Sequence, residues 1–160
     1  MTRQARLSIL TLVGLVVVFA GSAASAQGAD PINGTWQLNL AKSTYNPGPA
    51  PQSQTVTIEG TDAARKIMVD VTPASGPAQH WAVSGASGAQ LPVVGNNPNA
   101  DKYVIKRVNA TTLEAQYMKD GKPTLKQMAV VSADGKMLTV TASGNDAQGR
   151  TINNVAVYSK

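Results

Sequence analysis

The stretch that decides the fold covers residues 32–54, INGTWQLNLAKSTYNPGPAPQSQ. In its first part Trp36, Leu38 and Leu40 alternate with polar residues, and this period of two predicts a β-strand with one buried face. The second part carries three prolines within residues 47–51. Because proline interrupts a helix, this part predicts a helix-free loop directly after the strand.

The alternation of the first strand recurs along the rest of the chain, and no long segment after residue 26 has helical periodicity. Asp120-Gly121 and Asp134-Gly135 lie between such segments and are strong hairpin signals. Consecutive strands joined by tight turns usually lie side by side, and closure of the sheet removes its exposed edges. We therefore predict an all-β fold, an up-and-down antiparallel β-barrel of about eight to ten strands. The strand-like segments are residues 35–40, 54–59, 65–71, 80–84, 91–94, 102–108, 112–118, 124–132, 137–142 and 151–158.

The amino terminus has the pattern of a cleaved signal peptide. Arg3 and Arg6 precede an apolar run of residues 7–20, which is too short for a transmembrane helix of about 20 residues. Ala24-Ser25-Ala26 then matches the small-x-small pattern of a signal-peptidase site. We predict cleavage after Ala26, a periplasmic or secreted protein, and one β-barrel domain over residues 27–160.

The composition argues against several classes of function. The chain has no cysteine, so disulfides, thiol chemistry and cysteine-zinc sites are excluded. Its formal charge is +5, but the lysines are dispersed without the basic stripe that nucleic-acid binding requires. His80 is the single histidine and has no identifiable catalytic partner in the sequence. We predict no catalytic residues, no metal, no cofactor, no nucleic acid, no membrane span in the mature chain, and a monomer.

The two ends of the predicted domain resemble known proteins. Gly34-Thr35-Trp36-Gln37-Leu38 is similar to the Gly-x-Trp strand start of lipocalins and fatty-acid-binding proteins, the calycin group, and residues 157–160 are similar to the last strand of fatty-acid-binding proteins. The chain also resembles small exported bacterial proteins of unassigned activity that share GTW-x-LN-x-AKS…PGPAP. The resemblance implies a calycin-like barrel that binds a small, partly apolar molecule. It also implies that Trp36 plugs one end of the barrel.

The sequence departs from fatty-acid-binding proteins at two places. Those proteins place a helix–turn–helix lid after the first strand, where this chain has its proline-rich loop. They also carry a carboxylate-binding arginine two positions before the final tyrosine, a place taken here by Ala156. A fatty-acid clamp is therefore not expected, and a lipocalin-like loop over the barrel mouth fits residues 45–51 better.

The candidate ligand-binding residues are the aromatic residues of the predicted barrel and one arginine. Tyr103, Ile105 and Arg107 share one face of a strand, and if this face points inward, Arg107 would favour an anionic ligand. The alternative places Val104 and Val108 inward and Arg107 in solvent, since register cannot be fixed from one sequence. Our hypothesis is a binder of a small hydrophobic or amphipathic molecule, and the alternative is a structural or protein-interaction domain with a filled interior. The ligand-binding candidates are Tyr45, Trp81, Tyr103, Arg107 and Tyr117.

Overall fold

The computed structural model describes residues 29–160, so the predicted signal peptide lies outside the described residues. Residues 29–160 form eleven β-strands and one short 3₁₀ helix at Leu40–Lys42, without an α-helix. The strands are β1 (Gly34–Leu38), β2 (Ser53–Thr61), β3 (Ala64–Thr72), β4 (Gln79–Gly85), β5 (Gln90–Pro92), β6 (Val94–Gly95), β7 (Lys102–Asn109), β8 (Thr112–Lys119), β9 (Lys122–Val131), β10 (Met137–Asn145) and β11 (Thr151–Ser159).

The strands form one antiparallel sheet that curls into a nearly closed barrel. Its order is β5-β7-β8-β9-β10-β11-β1-β2-β3-β4-β6, so the two edge strands are consecutive in the chain and separated only by Val93. β5 pairs with β7, and β6 pairs with β4. The segment of residues 90–95 therefore lies between β4 and β7 and fills the tenth position around the barrel. The predicted antiparallel barrel is confirmed, with eleven strands because this segment is divided in two.

The hairpin between β8 and β9 forms where the sequence predicts it. Asp120 and Gly121 both have positive φ, +50° and +73°, and Lys119 pairs with Lys122 across the turn. Positive φ at both central residues is the requirement of a two-residue hairpin turn whose twist matches the strands. Asp-Gly satisfies this requirement at little steric cost, which is why the pair is such a good predictor here.

The barrel interior is built from the alternating apolar side chains of the strands. On β7, Tyr103 and Ile105 are each 2 % exposed, whereas Val108 is 56 % exposed. The face that carries Tyr103, Ile105 and Arg107 therefore points inward, and the register with Val104 and Val108 inward is wrong. The same alternation on β3 and β4 buries Val69, Trp81 and Val83.

The two ends of the barrel differ in what covers them. At one end, which we call the closed end, residues 29–33 meet the turns between β2 and β3 and between β7 and β8. At the other, which we call the open end, the loops of residues 39–52, 73–78, 96–101 and 146–150 surround a cavity. The barrel is thus covered at one end and accessible at the other.

Candidate functional site

The open end of the barrel contains a cavity of about 390 Å³. This volume lies within the range of about 300–1,000 Å³ typical of small-molecule sites. The loop of residues 45–51 borders the cavity, as predicted for the loop after the first strand, although one turn of 3₁₀ helix precedes it. Five prolines contribute to the rim: Pro47, Pro49, Pro51, Pro73 and Pro98.

Trp81 and Tyr117 form the inner wall of this cavity, and both pack against the Tyr103 ring beneath it. We call these three rings the aromatic floor. The ring centroids of Trp81 and Tyr103 are 5.2 Å apart, and those of Tyr103 and Tyr117 are 3.9 Å apart. Trp81 and Tyr117 line both the cavity and a second space of about 70 Å³ beneath it, which Tyr103 also lines. The floor therefore presents ring surface toward the open end.

Four phenol groups converge on the interior, three from different strands and one from a loop. Tyr45 lies on the loop, Tyr103 on β7, Tyr117 on β8 and Tyr158 on β11. Burial raises the pKa of Tyr45 to about 12 and raises the pKa of Tyr103, Tyr117 and Tyr158 as well. These hydroxyls therefore stay protonated at neutral pH and can act as hydrogen-bond donors.

The hydroxyls differ in how well they are satisfied. Asn97 Nδ2 donates to the Tyr103 hydroxyl over 3.4 Å. The Tyr45 hydroxyl oxygen is buried and has no hydrogen-bond partner among the described residues. A buried polar atom without a partner is uncommon in folded proteins. This atom belongs to a residue that lines the cavity.

The charged residues of the cavity lining neutralise one another. Asp146 and Arg150 are at the rim, and the Arg150 Nε donates to Asp146 Oδ2 over 2.7 Å. Burial alone would raise the pKa of Asp146, but hydrogen bonds from the backbone and side chain of Arg150 and from the Gln148 N–H bring it below its ordinary value. Every other polar residue of the lining is uncharged. Amides such as Gln54 and Gln127 therefore join the phenols in a neutral site.

Arg107 lies at the closed end and does not line the cavity. Its Nε donates to Asp62 over 2.9 Å, its Nη2 to Asp30, and its Nη1 to the carbonyl oxygens of Asn109 and Ala110. The inward face of β7 thus carries Arg107 into an ion-pair cluster rather than toward a ligand. The predicted role of Arg107 in binding an anion has no support in this arrangement.

Arg65 completes the ion-pair cluster of the closed end. Only 3 % of Arg65 is exposed, and its Nη2 lies 2.9 Å from both Asp30 Oδ2 and Asp62 Oδ1. The hydrogen bond from Arg107 lowers the pKa of Asp62. At Asp30, burial would raise the pKa, but the hydrogen bonds from Arg65 and the Ile32 N–H, with the charge of Arg107, lower it overall. We call these four residues the closed-end ion-pair cluster.

Trp36 occupies the barrel interior at the closed end and is 0 % exposed. Its Nε1 donates to the Ile32 carbonyl over 3.0 Å, and the Lys160 ammonium lies 4.2 Å from its ring centroid. Lys160 also donates to the Pro31 carbonyl. Trp36 therefore lies at the position predicted for the plug. Its contacts hold the segment before β1, at Pro31 and Ile32, and Lys160 after β11 together around the ring.

His80 lies on the outside of the barrel, away from the cavity. Its ring is 67 % exposed, and its Nδ1 lies 2.5 Å from Asp70 Oδ1 on the neighbouring strand. Among residues 29–160, no three His, Asp or Glu side chains come close enough together to hold a metal ion.

The structure gathers four of the five predicted ligand-binding residues in one place. Tyr45, Trp81 and Tyr117 line the cavity, Tyr103 supports them from below, and Arg107 lies at the other end. Sequence reasoning missed Tyr158, which is 3 % exposed and lines both spaces. The alternation of β11 could have placed it on the same face as Ala156, which also lines the cavity.

Comparisons with known proteins add no family to this description. No family model, curated protein or solved structure matches the chain. Over residues 29–160 the structure contains no helix with the length and apolar character needed to cross a membrane.

Proposed function

We propose that this protein is an exported, calycin-like, monomeric carrier that binds one small, partly apolar molecule in the open end of its barrel, without catalysis. The observation that carries the proposal is the cavity of about 390 Å³ whose walls include Trp81 and three of the four tyrosines, Tyr45, Tyr117 and Tyr158. Aromatic side chains supply large apolar contact area, and the hydroxyl of tyrosine adds a fixed polar contact.

The rim supports the same proposal. Proline has few conformations to lose on binding, so a rim with five prolines keeps the entropic cost of ordering the loops low. The sealed closed end leaves the open end as the route of access. The alternative, a protein-interaction domain with a filled interior, would make no use of this space.

Uptake of the neutral dye Nile red by the purified protein tests the proposal. We expect saturable binding of one dye per chain, with the fluorescence of a dye in an apolar site. Val140→Trp fills the interior from β10 and should abolish uptake, because Val140 lines the cavity.

Thr141→Trp is the matched control, since Thr141 is the next residue on β10 and is exposed on the outer face. It should leave uptake unchanged. If the wild-type protein takes up no dye, or if both variants behave alike, the carrier proposal is wrong and the filled-interior domain is favoured.

A further inference from the structure

The charge of the site determines which molecules it can accept. Asp146 and Arg150 are paired at the rim, and the remaining polar groups of the lining are neutral amides and hydroxyls. An anion or cation that entered the site would give up its hydration without finding an opposite unpaired charge. Desolvation of an uncompensated charge is among the most costly events in a binding site.

The Tyr45 hydroxyl gives the site an unused hydrogen-bond donor. It is buried, it has no partner among residues 29–160, and it sits on the loop that borders the cavity. Burial raises the pKa of Tyr45 to about 12, which keeps the hydroxyl protonated. Its proton has no acceptor among these residues, and a carbonyl oxygen on a ligand would supply one.

The aromatic floor favours flat rings as the apolar part of the ligand. Trp81 and Tyr117 line the cavity with their rings 6.5 Å apart and at 78° to each other. A planar ring can contact such a corner through one stacked and one edge-to-face arrangement, which are the preferred geometries of aromatic pairs.

We propose that the ligand is an uncharged, planar aromatic molecule with a carbonyl-type acceptor, which receives a hydrogen bond from Tyr45 and packs against Trp81 and Tyr117. This inference rests on the proposed carrier function and specifies the chemistry of the same site. Its consequence is that fatty acids and other carboxylates are poor ligands.

Three matched probes test the inference by isothermal titration calorimetry: methyl 2-naphthoate, 2-naphthoate and naphthalene. They share one ring system and differ in having a neutral acceptor, a negative charge or no polar group. We expect the ester to bind tightest and the carboxylate to bind at least tenfold more weakly than the ester. Tyr45→Phe keeps the ring but removes the donor, so it should weaken the ester about threefold to tenfold and leave naphthalene unchanged.

The outcomes separate this inference from the carrier proposal. If 2-naphthoate binds as tightly as the ester, or if Tyr45→Phe has no effect on the ester, the inference is wrong while the carrier proposal stands. If none of the three probes binds and neither Nile red nor dodecanoate is taken up, both are wrong. If Nile red is taken up and dodecanoate binds as tightly as the ester or tighter, the site carries anionic lipids and the inference is overturned.

Discussion

The two ends of the barrel use polar groups in opposite ways. At the closed end, Asp30, Asp62, Arg65 and Arg107 form an ion-paired cluster around residues 29–33. At the open end, the two charged residues of the cavity lining, Asp146 and Arg150, pair with each other, and the buried Tyr45 hydroxyl has no partner among residues 29–160. Charged groups that are paired and hydrogen-bonded hold the surrounding residues in place. A buried donor without an acceptor raises the free energy of the folded protein, and a ligand that supplies the acceptor removes this penalty. This difference fits a closed end that stabilises the fold and an open end that, in our proposal, binds the ligand.

Replacing each of the two tryptophans should produce the largest difference between the closed end and the open end. Trp36→Ala should lower the free energy of unfolding by about 3–5 kcal/mol, because a fully buried ring leaves a cavity in a packed region. Trp81→Ala should cost about 1–2 kcal/mol less than this, since Trp81 already borders open space, but it should abolish dye uptake. Urea unfolding followed by circular dichroism measures the first effect and Nile red titration the second. If both variants lost the same free energy of unfolding and both still took up Nile red, the proposed difference between the closed end and the open end would be wrong.

The closed-end ion-pair cluster gives the next largest effect. Arg65→Met should destabilise the protein by about 3 kcal/mol, because it leaves two partly buried carboxylates with fewer positive partners. Lys126→Met is the matched control, since Lys126 pairs with Glu114 on the exposed outer surface, and it should cost less than about 1 kcal/mol. Urea unfolding at neutral pH provides both values. A similar small loss in the two variants would show that the cluster does not stabilise the closed end.

Acid should act on the paired carboxylates and alkali on the interior tyrosines. Asp30 and Asp62 have lowered pKa values in the folded state, so their contribution is complete above the unfolded value near 4 and is lost as pH falls through the lower folded values. Tyr45 has a raised pKa of about 12, so its contribution is complete below the unfolded value near 10 and is lost as pH rises toward 12.

Unfolding free energies measured from pH 2 to 5 and from pH 9 to 12 check this assignment. Each carboxyl that protonates on unfolding contributes a slope of up to about 1.4 kcal/mol per pH unit. Asp30→Asn with Asp62→Asn should reduce the slope of the acid limb, to which Asp134 and Asp146 also contribute, and leave the alkaline limb unchanged. Tyr45→Phe should instead reduce the slope of the alkaline limb, to which Tyr103, Tyr117 and Tyr158 also contribute. An acid limb that keeps its slope in the double variant would assign it to other carboxyls.

The smallest effect concerns hydroxyl groups. Tyr45→Phe removes a buried donor that has no partner among the described residues, so stability should stay the same or rise by up to about 1 kcal/mol. Ser43→Ala should lower stability by about 1–2 kcal/mol, because the Ser43 hydroxyl donates to the Asn39 carbonyl over 2.7 Å and accepts from the Val157 N–H over 2.9 Å. Thermal unfolding of both variants measures the difference. A loss of stability in Tyr45→Phe equal to that in Ser43→Ala would mean that the Tyr45 hydroxyl is already satisfied.

The barrel could be predicted from the sequence because its signals are local. The period of two defines each strand, Asp120-Gly121 defines a turn, and both depend on neighbouring residues only. The sequence alone does not decide which face of β7 points inward, because a shift by one residue exchanges the two faces of a strand. Burial of Tyr103 and Ile105 resolves this choice.

The fate of Arg107 could not be predicted, because its partner Asp30 lies 77 positions away along the chain. Asp30 precedes the first strand, and only the folded barrel brings residues 29–33 across the closed end. The inward direction of Arg107 was one of the two predicted registers, but its depth along the barrel axis decides whether it meets a ligand or Asp30. Depth depends on the tilt and stagger of all strands together, and a single strand's pattern does not contain it.

The central claim is that the open end of the barrel is the ligand site, and amide chemical-shift mapping tests it most directly. On titration of the isotope-labelled protein with methyl 2-naphthoate, resonances of Tyr45, Gln127 and Ala156 around the cavity should shift with one common affinity. Those of Asp62 and Arg65 at the closed end should stay in place. Shifts confined to the closed end or to the outer face near His80, or an absence of shifts at saturating probe, would contradict the claim.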